Sequence, residues 1–241
     1  MQIIAETHSH TIACSHAYST IYENVQAAAK KGLKFLCVTE HAPKMIDGPH
    51  EWFFNNLPAT VPDLLDGVIV LKGAEANILD FDGSLDLNER QLKKLDWVIA
   101  SYHSPCCTPS DITSHTAGWL AIAENPDVDV IGHCGDERFR FDYEPVIRAF
   151  AEHQKIVEFN AHSFHSRPGS RENCRQIALL CKKYGVRAVC SSDAHFFTQI
   201  GNAGEALDML MEIGYPEKLI LNTDYDRFLA VAREKSGRQL V

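Results

Sequence analysis

Short, almost unbroken apolar runs alternate along this chain with longer segments whose apolar positions recur every three or four residues. The runs are "IIAE" (3–6), "KFLCVT" (34–39), "VIVLKGA" (68–74), "WVIAS" (97–101), "DVIGH" (129–133), "KIVEFN" (155–160) and "VRAVCSS" (186–192). They are rich in Val, Ile and Phe, the pattern of a parallel strand buried on both faces. Helical patterns lie between them. Residues 19–32 open with Ser19 or Thr20 as N-cap, put Ile21, Val25, Ala28 and Ala29 on one face, and end at Gly32. Similar patterns cover 114–125, 143–154, 170–185, 203–213 and 224–234. Strict β-then-α alternation predicts a parallel sheet. Seven such units suggest closure into a barrel, with an open doubly wound sheet as the alternative.

Composition narrows the class. At 241 residues, 45% hydrophobic and 23% charged, the chain suits a single domain spanning 1–241. It has no low-complexity run, repeat or linker-like stretch. A formal net charge of −9 argues against holding duplex nucleic acid on a broad basic face. It leaves room for a small phosphorylated substrate, since bound divalent ions reverse the local sign. None of the eight Cys forms a CxxC pair. The start, "MQIIAETHSH", lacks the features of a signal peptide, and no apolar run is long enough to span a bilayer. The expectation is a soluble, cytoplasmic protein with reduced thiols and no membrane partner. The oligomeric state is not indicated.

Twelve His is a high count for this length, and their positions matter more than their number. Each of six predicted strands is followed by potential metal ligands. They are His8, His10 and His16 after the first, His41 after the second, Glu75 after the third and His103 after the fourth. His133 ends the fifth, and Asp193 with His195 follows the seventh. In a parallel barrel those ends share one face, where active sites are built. Segments distant in sequence would therefore converge on a metal site. Seven imidazoles and two carboxylates exceed the needs of one tetrahedral zinc and suit two or three ions. Imidazole favours zinc, iron, nickel or copper, while manganese prefers more oxygen ligands.

The ordered set HSH, SHAYS, TEH, GAEAN, SYH, IGH, HSRPGS and SDAH resembles the PHP (polymerase and histidinol phosphatase) family over nearly the whole chain. It looks closest to the YcdX-like phosphatases with a trinuclear zinc site. The resemblance implies an α/β fold, a distorted (β/α)7 TIM-like barrel with the metals at the carboxyl ends of the strands. It implies three divalent ions, zinc first, with iron or manganese as alternatives. By position, His8, His10, Glu75 and Asp193 would hold one ion. Glu75 would bridge to a second held by His103 and His133, and His16, His41 and His195 would hold the third. Three residues depart from the family pattern: Glu6 and Glu40 stand where Asp is common, and Cys134 where Pro is expected. The two Glu are read as outer groups that orient imidazoles, and Cys134 as a buried neighbour.

The implied activity is phosphoester hydrolysis. Glu75 and Asp193 are the carboxylates of the catalytic centre, and a metal-bound hydroxide attacks phosphorus in line. No protein nucleophile is required. Cys106-Cys107 lacks the Gly-rich or Arg-containing loop of a thiol phosphatase. The loop after the sixth strand, "NAHSFHSRPGS", offers Asn160, Ser163 and Arg167 as substrate-binding residues, with Arg167 suited to fork onto a phosphate oxygen. His115 and His153 fall in helical patterns and are read as solvated, and His50 and Trp52 as candidates for the pocket mouth. A small phosphorylated molecule is favoured over a nucleic-acid end. Two other functions compete: an amidohydrolase-like metal-dependent hydrolase, and a non-catalytic metal-binding module.

Overall fold

The computed structural model describes residues 1–240. Eight strands form one sheet: β1 (Ala5–Glu6), β2 (Phe35–Val38), β3 (Leu64–Leu65), β4 (Val68–Asn77), β5 (Trp97–Ser101), β6 (Val130–Ile131), β7 (Ile156–Asn160) and β8 (Arg187–Ser191). Seven of them run parallel in the order β1-β2-β4-β5-β6-β7-β8, and β3 pairs antiparallel with β4. A parallel bridge between Ser9 and Ala194 brings the last strand's end back to the first, with the His10 N–H donating to the Ala194 carbonyl at 2.8 Å. The sheet therefore curls into a nearly closed, distorted seven-stranded barrel, and the open-sheet alternative is set aside.

The helices are α1 (Ile21–Lys30), α2 (Trp52–Thr60), α3 (Glu89–Leu92), α4 (Ile112–Glu124), α5 (Tyr143–Glu152), α6 (Ser163–Ser166), α7 (Ser170–Tyr184), α8 (Gly204–Glu212) and α9 (Tyr225–Ser236). Thr20 is the N-cap of α1. Its hydroxyl accepts from the Glu23 N–H while Glu23 accepts from the Thr20 N–H, a capping box. The six predicted helices are present within two residues at most ends. Three were not predicted. Helix α2 contains Pro58 and has no side-chain cap, and α3 and α6 are single turns of four residues.

Burial on both faces explains the unbroken apolar runs. Residues such as Leu36, Val70, Ala100, Ile131 and Val157 point outward into a core shared with the helices, including Val25, Trp119, Phe150 and Ile177. Their alternates, Phe35, Ile69, Leu71, Trp97, Val130 and Ile156, fill the barrel together with Phe228 and Val231 of α9 and Leu240. The Phe228 ring lies 4.9 Å from that of Phe35 and 5.5 Å from that of Trp97. The C-terminal helix thus plugs the amino-terminal end of the barrel with apolar groups, and the imidazoles gather at the other end. Among the described residues, no helix is long and apolar enough to cross a membrane.

Candidate metal centre

The strand ends carry the predicted residues into one place. His8 and His10 leave β1, and Glu75, expected just past the third strand (68–74), lies within β4, which runs three residues further, to Asn77. His41 forms an isolated parallel bridge with Glu75. His103 and His133 each stand two residues past a strand, as does Asp193 after β8. His133 (φ 25°) and Asp193 (φ 51°) adopt the left-handed region, uncommon for residues with a side chain. Such backbone strain concentrates at functional sites. His8, His10 and Glu75 are fully buried, and His16 is exposed on its outer side.

The polar atoms stand at spacings that hydrogen bonding alone does not explain. His8 Nε2 and His10 Nε2 are 3.1 Å apart, and Asp193 Oδ1 is 3.6 and 3.1 Å from them. Glu75 Oε2 is 3.4 Å from His8 Nε2 and 3.7 Å from His10 Nε2. Four donors placed about 2.0–2.1 Å from one tetrahedral zinc would stand roughly 3.3 Å apart. The other carboxylate oxygen, Glu75 Oε1, faces His133 Nε2 at 2.7 Å and His103 Nε2 at 3.3 Å. His16 Nε2 and His195 Nε2 are 3.0 Å apart, and the His16 ring stacks 5.2 Å from that of His41. His10, His41 and His195 also bring one nitrogen each within 4.8 Å of one another. Glu75 Oε2 lies 2.7 Å from His41 Nδ1, yet the pair is not aligned as a hydrogen bond. Both atoms, and His103 Nε2, are buried without a hydrogen-bond partner. A converging set of imidazole nitrogens and carboxylate oxygens with orphaned, buried lone pairs fits divalent cations.

Charge agrees with this geometry. Burial pushes the Glu75 carboxyl up, but the facing His103, His8 and His41 imidazoles outweigh it and hold it well below the usual range. Asp193 is likewise held low, burial being outweighed by His8, His10 and His195. Burial pulls His103 down to about 4 despite Glu75.

A ring of outer groups fixes these side chains. Glu158 on β7 sits 2.6 Å from His8 Nδ1 and accepts from the His133 N–H and the Ser191 hydroxyl. Asn77 Oδ1 faces His103 Nδ1 at 2.8 Å, and Asp47 faces His16 Nδ1 at 2.5 Å. None of these three was singled out from sequence. The available signal for Glu158 was a lone carboxylate inside the apolar run 155–160. Glu6 corrects an expectation: it touches no imidazole, and instead binds the N–H groups of Thr7, His8, Ser192 and Gly201 and the Ser192 hydroxyl. It therefore clamps backbone where the barrel closes. Glu40 accepts from the Cys14 thiol at 3.0 Å and lies 3.9 Å from His10 Nδ1, while burial raises its carboxyl to about 7. Cys134 is buried, as expected.

Above the cluster opens a cavity of about 430 Å³, whose wall includes His103, Arg138, His162, Ser166, Arg167 and Asp193. Arg167 Nη1 donates to Ser163 Oγ at 2.8 Å and to Asp193 Oδ2 at 3.4 Å. Asn160 and Ser163 are fully buried and do not form the wall. Asn160 donates to Asp193 Oδ2 at 3.1 Å and accepts from the Ser163 N–H at 3.0 Å, so the two residues brace Asp193 and Arg167. His50 and Trp52 lie away from the cavity wall. His115 is buried rather than solvated: it accepts from the Ser110 N–H and faces the Arg140 carbonyl, each at 2.8 Å. The helical period put it on α4 but did not reveal that the 138–141 loop covers that face.

A parallel barrel with imidazoles and carboxylates converging at its carboxyl-terminal mouth defines a metal-binding α/β barrel. The chain belongs to the PHP family, matching the PHP domain over residues 6–162. It is 46% identical over 240 residues to a probable phosphatase of Thermoanaerobacter sp. (strain X514), covering 99% of this chain and 98% of that protein. A probable phosphatase of Acetivibrio thermocellus is 41% identical over 238 residues, covering 99% and 98%. Among solved structures, it is similar to histidinol phosphate phosphatase of Lactococcus lactis, complexed with zinc, L-histidinol and phosphate. The TM-score is 0.60 at 15% identity, covering 88% of this chain and 94% of that one, a likeness of fold.

Proposed function

We propose that this PHP-family phosphatase hydrolyses a small phosphate ester at a three-ion centre, zinc being the preferred metal. His8, His10, Glu75 and Asp193 would hold one ion. Glu75 would share its second oxygen with an ion on His103 and His133, and His16, His41 and His195 would hold the third. The observation that carries this reading is the Glu75 carboxylate, whose two oxygens face separate imidazole sets. Family membership and relatives named phosphatases support the reaction class. Bound divalent ions of this kind supply positive charge to phosphate oxygens and make water acidic enough to ionise near neutral pH.

The chain's own residues bind and orient the ester. Arg167, held by Ser163 and Asp193, donates to a phosphate oxygen and lowers the cost of charge that builds there. Asn160 fixes Asp193 from behind. His162 is an exposed imidazole on the cavity wall, its ring 6.4 Å from that of His195, and delivers a proton to the departing oxygen. Water is consumed, the P–O ester bond breaks, and an alcohol and inorganic phosphate leave. A cavity of about 430 Å³ has room for a small molecule.

Elemental analysis and a phosphoester panel on one preparation test this. The expected result is close to three ions per chain, with phosphate release that chelation abolishes and zinc restores. A full metal load without turnover of any ester would favour the binding module. One or two ions with hydrolysis of amides alone would favour the amidohydrolase-like reading.

A further inference from the structure

The cavity wall carries a second arginine besides Arg167. Among the described residues that line it, Arg138 and Arg167 are both present, and Asp193 is the one acidic group. Asp193 is already committed to His10, Asn160 and Arg167.

Arg138 was not anticipated from sequence, and its setting is unlike that of an ordinary surface arginine. It sits in the loop that follows His133, on a short 3-10 turn (Glu137–Phe139) capped by Asp136. The Asp136 carboxylate is buried. It accepts from Arg138 Nε at 3.0 and 3.1 Å, from Nη2 at 2.6 Å, and from the Arg138 N–H at 3.0 Å. One edge of the guanidinium is thereby locked. Nη1 has no protein partner among the described residues, and the side chain remains 45% exposed while lining the cavity. An arginine prefixed on one edge loses little further freedom when its open edge meets an anion.

The two arginine loops are also bolted together. The Glu137 N–H donates to the Pro168 carbonyl at 3.0 Å. Asn173 Nδ2 donates to Glu137 Oε2 at 2.7 Å and to the Gly135 carbonyl at 3.0 Å. A Cβ on Gly169 would meet Glu137 at 3.1 Å, so the loops touch at that point. Arg138 and Arg167 therefore form one rigid wall.

We infer that the substrate carries a second anionic group, a carboxylate or another phosphate, which the open edge of Arg138 binds while Arg167 and the centre take the reacting phosphate. This rests on the phosphatase reading for the identity of the first anion. It makes Arg138 the residue that selects among phosphate esters.

Binding of non-hydrolysable probes tests this without turnover. Titration calorimetry on the metal-loaded chain would compare alkylphosphonates with ω-phosphonocarboxylates and α,ω-bisphosphonates in a series of increasing length. At one or two lengths the doubly anionic probe should bind about tenfold or more tightly than its alkyl counterpart, as expected for a charge-assisted contact. The carboxylate and bisphosphonate arms identify which second anion is preferred. Arg138→Gln should erase the discrimination and Arg138→Lys retain part of it, while Arg167→Ala should weaken singly and doubly anionic probes alike. Equal affinity for both probe types in the wild type, or discrimination that survives Arg138→Gln, would overturn the inference. Absence of ester hydrolysis with discrimination intact would instead count against the phosphatase reading.

Discussion

Replacing Glu75 by Gln tests the bridge directly. The change keeps the volume and one oxygen but removes a full charge from a fully buried position. Oε1 lies 2.7 Å from His133 and 3.3 Å from His103, and Oε2 lies 3.4 Å from His8 and 3.7 Å from His10. An ion on either set would be within reach of this carboxylate. At an effective dielectric constant of about 20, unit charges about 4 Å apart interact by roughly 4 kcal/mol. Loss of that attraction is close to a thousandfold in affinity per unit of cation charge. Two ions should weaken together. His16→Ala is the contrast: His16 sits at the exposed rim, its ring nitrogens beside His195 and Asp47, so mainly one ion should be lost. The assay is elemental analysis after equilibration at graded free zinc, with circular dichroism to confirm folding. A Glu75→Gln chain that keeps the wild-type stoichiometry and turnover would refute the bridge.

Arg167→Ala should leave metal content unchanged while lowering kcat/KM by about 10- to 150-fold, the equivalent of a charge-assisted hydrogen bond worth roughly 1.5–3 kcal/mol. Lys should restore only part of the loss, and unchanged kcat/KM together with unchanged inhibition by inorganic phosphate would remove Arg167 from substrate binding. Away from the site, Asp129 supplies a pH dependence. Burial raises its carboxyl from 3.8 to about 6, although it accepts from the Val98 N–H at 2.9 Å and faces Lys235. Because the folded state holds this proton more tightly, the group's contribution is full below pH 3.8 and is lost as pH rises through about 6. The span is roughly 3 kcal/mol. Asp129→Asn should flatten denaturant-measured stability across that window, and an unchanged slope would show that Asp129 does not govern it.

Much of the site was legible because a parallel barrel converts sequence position into spatial position. Any residue just past a strand's carboxyl end reaches the same mouth, so seven apolar runs were enough to gather His8, His41, His103, His133 and Asp193. Residues that act from inside a strand or from a distant loop left weaker marks. Glu158 and Asn77 point into the barrel from β7 and β4; polarity within an apolar run marked Glu158, whereas Asn77 fell beyond the third run as read from sequence. Asp47 and Arg138 depend on how loops fold back, which no periodicity encodes. Asn160 and Ser163 were misjudged in depth: the short helix α6 turns the loop so that both are covered, and of the three expected substrate contacts Arg167 lines the cavity, beside His162 and Ser166. Helix α2 escaped because Pro58 and an uncapped start mask its period.

The two ends of the barrel compensate their buried charges differently, and this bears on function. At the amino-terminal end, Phe35, Trp97 and Phe228 fill the interior, and the buried Asp96 and Asp129 are each met by a cation, Arg238 and Lys235. At the mouth, Glu6, Glu40, Glu75, Glu158 and Asp193 are all buried. An unpaired buried carboxylate is expensive, and each must find compensation. Glu6 and Glu158 find it in backbone N–H groups, hydroxyls and His8. Glu75 Oε2 and Glu40 Oε1 have no hydrogen-bond partner. Under the proposed reading, cations compensate Glu75, and His10 relays part of that charge toward Glu40. Under the same reading, the buried carboxylates that make the mouth costly to fold also favour ligands that bring positive charge. Under that reading metal binding would be coupled to the final closure of the barrel, where the Ser9–Ala194 bridge lies between His8 and His195. A phosphate ester approaching that closed mouth meets a wall already rigid, with Arg138 and Arg167 held before any substrate arrives.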